Sequence, residues 1–115
     1  MKAAVCALAL AAGCATSNMT GTFEAISVAP SGGQRHVRVT LKAAGDAVVS
    51  TAFSDSTTRG LAEGNWTRNG MRVAVHLDSQ NRIVFRHAGE ELIPEEWDRA
   101  VWGEDGPGVL VRVRR

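Results

Sequence analysis

The chain has 115 residues, 44% of them hydrophobic, with 13 Lys and Arg against 12 Asp and Glu. That near-neutral balance excludes a nucleic-acid binder, whose domain is basic overall. Two cysteines, Cys6 and Cys14, are too few for a disulfide-built scaffold, and the length sets one domain around one modest core.

Lys2 precedes an apolar run from Ala3 to Ala12, and Ala11-Ala12-Gly13 bring small side chains up to Cys14. About ten apolar residues make the core of a signal peptide, whereas a membrane-spanning helix needs roughly 20. The end of the run matches a bacterial lipoprotein signal, with Leu10 four residues before the cysteine where three is favoured. The expectation is that residues 1–13 are removed. Cys14 then becomes a lipidated, palmitate-bearing N-terminus and 14–19 a short tether. Two competing readings are an ordinary signal peptide cut nearby and a cytosolic chain with an apolar start. Losing Lys2 leaves acidic and basic residues equal in number. Ala15 stands after Cys14 instead of aspartate, which points to the outer membrane, facing the periplasm.

The remainder, 20–115, alternates as strands do. Thr20 to Val28 opens the fold, and Pro30-Ser31-Gly32-Gly33 is turn material. From His36 to Leu41, Val37, Val39 and Leu41 share one face. Ala44-Gly45-Asp46 turns the chain into Val48 to Phe53, and Ser54 to Gly60 reads as loop. Asn69-Gly70 between two alternating runs is a two-residue hairpin turn. It pairs Arg68 with Met71 and Trp66 with Val73, and puts Trp66, Val73, Val75 and Leu77 in the core. Asp78 to Asn81 turns again. Ile83 and Phe85 point inward, with Arg82 and Arg86 outward. Pro94-Glu95-Glu96-Trp97 either opens a helical turn or bulges a strand. Gly103 to Gly108 is loop, and Val109, Val111 and Val113 alternate with Leu110, Arg112 and Arg114 in a last strand. The fold class is all-β: an antiparallel meander of seven to eight strands closing into a small, lipocalin-like barrel.

Several of these segments together resemble the N-terminal domain of the NlpE-type copper-resistance lipoproteins. They are Gly21-Thr22-Phe23, Arg38 to Leu41, Gly45-Asp46, Gly64 to Thr67, Asn69 to Val73, Arg82 to Arg86, Gly89 and Leu92. The resemblance implies a lipidated barrel and a role in envelope-stress surveillance. That family's Cys-x-x-Cys falls at Ser31 and Gln34 here, so copper or redox sensing is not carried over, and no second signalling domain follows.

No metal or other cofactor is expected: His36, His76 and His87 show no short ligand spacing. No catalytic residue is assigned either. Glu90-Glu91 and Glu95-Glu96 are adjacent, and strand neighbours point to opposite faces. A basic end at Arg112, Arg114 and Arg115 reads as a solvated strand terminus. Trp97, Asp98, Arg99 and Trp102 form the candidate partner surface, with Trp97 as a plug for the barrel end as the competing role. Arg99 has Glu95, Glu96 or the Trp102 ring as its expected partner. The leading function is a non-enzymatic, lipid-anchored envelope module that binds an envelope protein. The alternatives are a small-hydrophobic-ligand binder using the barrel interior, and an inhibitor of a hydrolase such as lysozyme.

Overall fold

The computed structural model describes residues 19–28, 32–54, 59–77 and 81–113. The expected signal peptide at 1–13, the expected lipidation site Cys14, and Ser31, Arg114 and Arg115 lie outside them. Eight strands run in chain order and close into one antiparallel barrel. They are β1 (Gly21–Val28), β2 (Gln34–Leu41), β3 (Asp46–Phe53), β4 (Arg59–Asn69), β5 (Arg72–His76), β6 (Arg82–Ala88), β7 (Glu91–Glu96) and β8 (Leu110–Arg112). β8 pairs with β1, so closure leaves no outer strand. A single helical turn, α1 (Arg99–Trp102), lies between β7 and β8.

Alternation builds the interior. Phe23, Val37, Val39, Leu41, Val49, Val73, Val75, Ile83, Phe85, Leu92 and Leu110 are essentially inaccessible to solvent. Burying each such side chain stabilises the fold by about 1.5–3 kcal/mol, which replaces what disulfides would supply. Met19 is also fully buried. The tether expected over 14–19 is therefore one residue too long, because Met19 belongs to the core.

Several local expectations change. The β4–β5 hairpin pairs Arg68 with Val73 and Trp66 with Val75, leaving Gly70 and Met71 as the loop. Gly70 takes φ +63° there. The carbonyl of Met71 meanwhile accepts from the His87 N–H at 2.7 Å, tying the loop to β6. The shift is two residues along β5, so every side chain keeps its face. Trp66 points inward but is only partly buried. Its indole N–H donates to the Lys42 carbonyl at 2.8 Å, closing one barrel end over the β2–β3 turn. Val109 and Val111 face solvent, and Leu110 fills the interior. Arg112 is inward too and not a solvated terminus. It lies over the Phe23 ring at 4.7 Å and pairs with Glu90 at 3.4 Å.

Of the two readings for Pro94 to Trp97, the strand with a bulge is the one realised. Phe85 pairs with Pro94 and Val84 with Glu96, so Glu95 is an extra residue. Proline fits because the ladder is already irregular there. The helical turn starts later, where the Asp98 carboxylate accepts from the Ala100 N–H at 2.9 Å.

β4 has a divided partnership. Residues 59–65 pair with β3, and residues 65–69 pair with β5; Asn65 alone belongs to both. Gly64 stands at the division. A Cβ there would lie 1.8 Å from the His76 carbonyl oxygen, so only glycine admits the β5 backbone. Gly64→Ala is expected to cost about 2–3 kcal/mol in urea unfolding, as overpacking against fixed backbone does. A loss under about 0.5 kcal/mol would show that β5 can move aside freely.

Candidate functional site

The strand registers define two barrel ends. At one, β1 and β3 begin and β2 ends; Met19, Phe23, Trp66 and the Arg112–Glu90 pair close it. At the other, β2 and β4 begin, and α1 with its following loop spans the gap between β7 and β8. This second end is open. Before Asn65, β4 has no β5 partner, and its inward positions there are Gly60 and Ala62. Small side chains beside a missing ladder leave space. The result is a cleft of about 250 Å³, lined by Val49, Phe53, Ala62, Leu77 and Val101, with Arg35, Thr51 and Asn81 as its polar members.

Arg35 is the unforeseen residue. Gln34 and Arg35 extend β2 beyond the segment expected from His36, and the parity of Leu41, Val39 and Val37 carries Arg35 inside. It is 2% exposed. Its Nε donates to Ser27 Oγ at 3.3 Å, and its Nη2 donates to the carbonyls of Trp102 at 2.9 Å and Gly106 at 3.0 Å. The guanidinium lies 4.9 Å from the Trp102 ring centre. Burial pushes its pKa below the ordinary arginine value, yet arginine stays protonated in proteins. The sequence signal is available: a strand begun one residue earlier puts a cation on the apolar face of Val37, Val39 and Leu41.

The expected contact surface is dismantled by the same packing. Trp102 is 3% exposed, and its indole N–H donates to the Asn81 side-chain oxygen at 3.4 Å, so it is core and not a presented side chain. Trp97 is partly buried against the core, and its indole N–H donates to the Gly103 carbonyl at 2.9 Å. Gly106 packs on its ring so closely that an added Cβ would meet it at 2.8 Å. Asp98 serves as the cap of α1. Arg99 is exposed, pairs with Glu104 at 2.6 Å and lies over Trp97 at 5.7 Å, not with Glu95, Glu96 or Trp102. Of the four, Arg99 is exposed, Trp97 and Asp98 are partly buried and Trp102 is buried. The Gly103–Gly108 loop folds inward at Gly106 and Pro107, which are buried, and leaves Glu104 and Asp105 exposed.

Glu95 and Glu96 face Arg72, Arg82 and Arg86 across the outer sheet at 3.1–3.7 Å. They are strand charges and not loop charges, and in water such pairs contribute little each. The histidines lie on different elements. His36 is on β2 beside Glu24 at 3.3 Å. Burial pushes the Glu24 carboxyl up, but the hydrogen bonds from Arg38 and His36 win and hold its pKa below the usual value. His76 is exposed at the end of β5. Among the described residues, no group of three His, Cys, Asp or Glu side chains converges as metal ligands. Also among these residues, no helix is long and apolar enough to cross a membrane.

His87 Nε2 is buried without a hydrogen-bond partner among the described residues. Burial lowers its pKa, and the charges of Arg112 and Arg68 lower it further, against a backbone bond involving Gly89 and the charge of Glu90. The unfolded chain therefore takes up this proton first. Stability is full above the ordinary histidine pKa of about 6.5 and falls as pH drops below it, until the folded pKa is reached. His87→Gln should flatten that slope in urea unfolding measured from pH 8 to 5. An unchanged slope would assign the acid sensitivity to another group.

The chain matches no protein-family model, no curated protein and no solved structure.

Proposed function

We propose that this chain is a non-enzymatic binding module of the bacterial cell envelope, held to the membrane by a lipid on Cys14, and that it takes a small apolar ligand in the open end of its barrel. The observation that carries the ligand reading is the cleft of about 250 Å³ where β4 parts from β5. Its lining is mostly apolar, with a few convergent polar groups, the usual composition of a small-molecule site. The volume lies just under the roughly 300 Å³ at which drug-sized pockets begin, so the ligand is small. The large inward residues fill most of the barrel and confine that space to one end. Phe23 and Phe85 pack the middle, Trp66 closes the far end, and Phe53 stands at the cleft margin.

Envelope placement rests on the N-terminal pattern ending in Ala11-Ala12-Gly13-Cys14 and on the resemblance to NlpE-type lipoproteins. A stress-surveillance role through a protein partner is the second reading. It is favoured by the exposed apolar side chains Ile26, Val28 and Leu61 on the outer face, at 57–70% exposure.

The ligand reading is tested by NMR titration with 1-octanol. Saturable shifts are expected at Val49, Thr51 and Leu77, and Ala62→Phe, which fills the cleft, should remove them. Shifts centred on Ile26 and Val28 would favour the outer face instead. Placement is tested by metabolic labelling with palmitate. Label should enter the wild-type protein and be absent from Cys14→Ser; equal labelling of the two would rule out the anchor.

A further inference from the structure

Within the cleft, one group has more capacity than its protein partners use. Arg35 is 2% exposed, and every hydrogen bond it makes goes to a neutral acceptor: Ser27 Oγ, the Trp102 carbonyl and the Gly106 carbonyl. Its other contact, the Trp102 ring, is also neutral. Most arginines of this barrel are treated differently. Arg38, Arg72, Arg82, Arg86 and Arg99 each have a glutamate within 4 Å and are half in water. The other inward arginine, Arg112, has Glu90 at 3.4 Å. Among the described residues, no carboxylate lies within ion-pairing distance of Arg35. A buried cation of this kind is costly unless an anion accompanies it.

The donor count says where the anion belongs. A guanidinium has five N–H groups. Nε is used on Ser27, and Nη2 reaches two carbonyls. Nη1 has no partner among the described residues, and it is not one of the sealed, unsatisfied atoms. Arg35 itself lines the cleft. Its free donors therefore lie where cleft contents can reach them.

Resting on the apolar-cleft reading, we infer that the ligand is a monocarboxylate with a short apolar tail, its carboxylate held by Arg35 Nη1 and its tail lying along Val49, Ala62, Leu77 and Val101. A single negative charge matches the single positive charge of the Arg35 guanidinium. A dianion such as a phosphate monoester would leave one charge buried without a partner. Tail length is bounded by volume, since about 250 Å³ is the share of roughly eight waters at ~30 Å³ each. The N⁺–H···O⁻ bond is charge-assisted and stronger than any bond Arg35 makes to a neutral group of the protein.

The experiment is isothermal titration of the full chain with octanoate and with 1-octanol, which share a tail and differ in charge. Octanoate is expected to bind at least about tenfold more tightly. Equal affinities would overturn the role of Arg35 while leaving the apolar cleft intact. Absence of binding by both would overturn the cleft reading and this inference with it. In Arg35→Gln the preference for octanoate should collapse to about one, with octanol binding retained; a preserved preference would overturn the assignment. Arg35 also holds two carbonyls, so the variant is paired with a measurement on the native chain. The Arg35 side-chain ¹⁵N resonances should move on adding octanoate and stay fixed with octanol. Resonances that ignore bound octanoate would exclude contact with its carboxylate.

Discussion

The open end of this barrel depends on what the Arg35 guanidinium holds. One side chain joins β2 to Ser27 of β1, to the last residue of α1 and to Gly106 in the loop that returns to β8. A helix of four residues has no stability of its own, because nucleation alone outweighs the few hydrogen bonds it makes. α1 persists because Asp98 caps it, Trp102 is buried beneath it and Arg35 binds the carbonyl at its end. Satisfying carbonyls that a helix end leaves open is a task usually given to glycine caps or water. Here a buried cation does it, and the field of that cation comes with it into the cleft.

The two ends show how the same strand alternation gives opposite outcomes. At the closed end, inward positions carry Phe23, Leu41, Trp66 and Met19, and the inward arginine is neutralised by Glu90. At the open end, β4 contributes Gly60 and Ala62, and β5 stops at His76 before it can cover them. Gly64 makes the difference between the two halves, because the β5 backbone crosses at its Cα. The cleft is thus a consequence of strand pairing, and not of a missing side chain alone. Filling it with a larger residue on β4 leaves the ladder to β3 intact.

Period-two alternation makes most of the fold legible in the sequence. Val37, Val39 and Leu41 share one face, as do Val73, Val75 and Leu77, and turn residues mark nearly every strand end. The β4–β5 register differs from the expected one by two residues along β5: Asn-Gly and Gly-Met are both workable two-residue loops, and with Gly70-Met71 as the loop the Met71 carbonyl also accepts from the His87 N–H. The candidate site was far less legible. Trp97 and Trp102 in an irregular, charged segment look like a surface, yet one packs under Gly106 and the other under Arg35. The second contact links residues 67 positions apart, and the first needs a loop to fold back on its own strand end, neither of which alternation encodes. Arg35 falls between the Gly-Gly turn and the strand expected from His36, so alternation over that strand assigns it no face.

The direction of the cleft bears on how an anchored form of this protein would work. β1 starts at the closed end, directly after the buried Met19, and runs toward the open one. Its eight residues cover about 26 Å, or roughly 20 Å along the axis of a barrel with tilted strands. A lipid on Cys14 would therefore draw the closed end toward the bilayer and leave the cleft facing the aqueous space. Ligand would then exchange with water and not with the membrane interior. Under that geometry a short-tailed acid is favoured over a long-chain one for a second reason besides volume. A long chain partitions into the bilayer, because each methylene contributes about 0.8 kcal/mol, whereas a short one stays in solution where the cleft can meet it. In the cleft the tail and the charge then act on different quantities. The tail sets how much apolar surface leaves water, and Arg35 sets which headgroup can follow it.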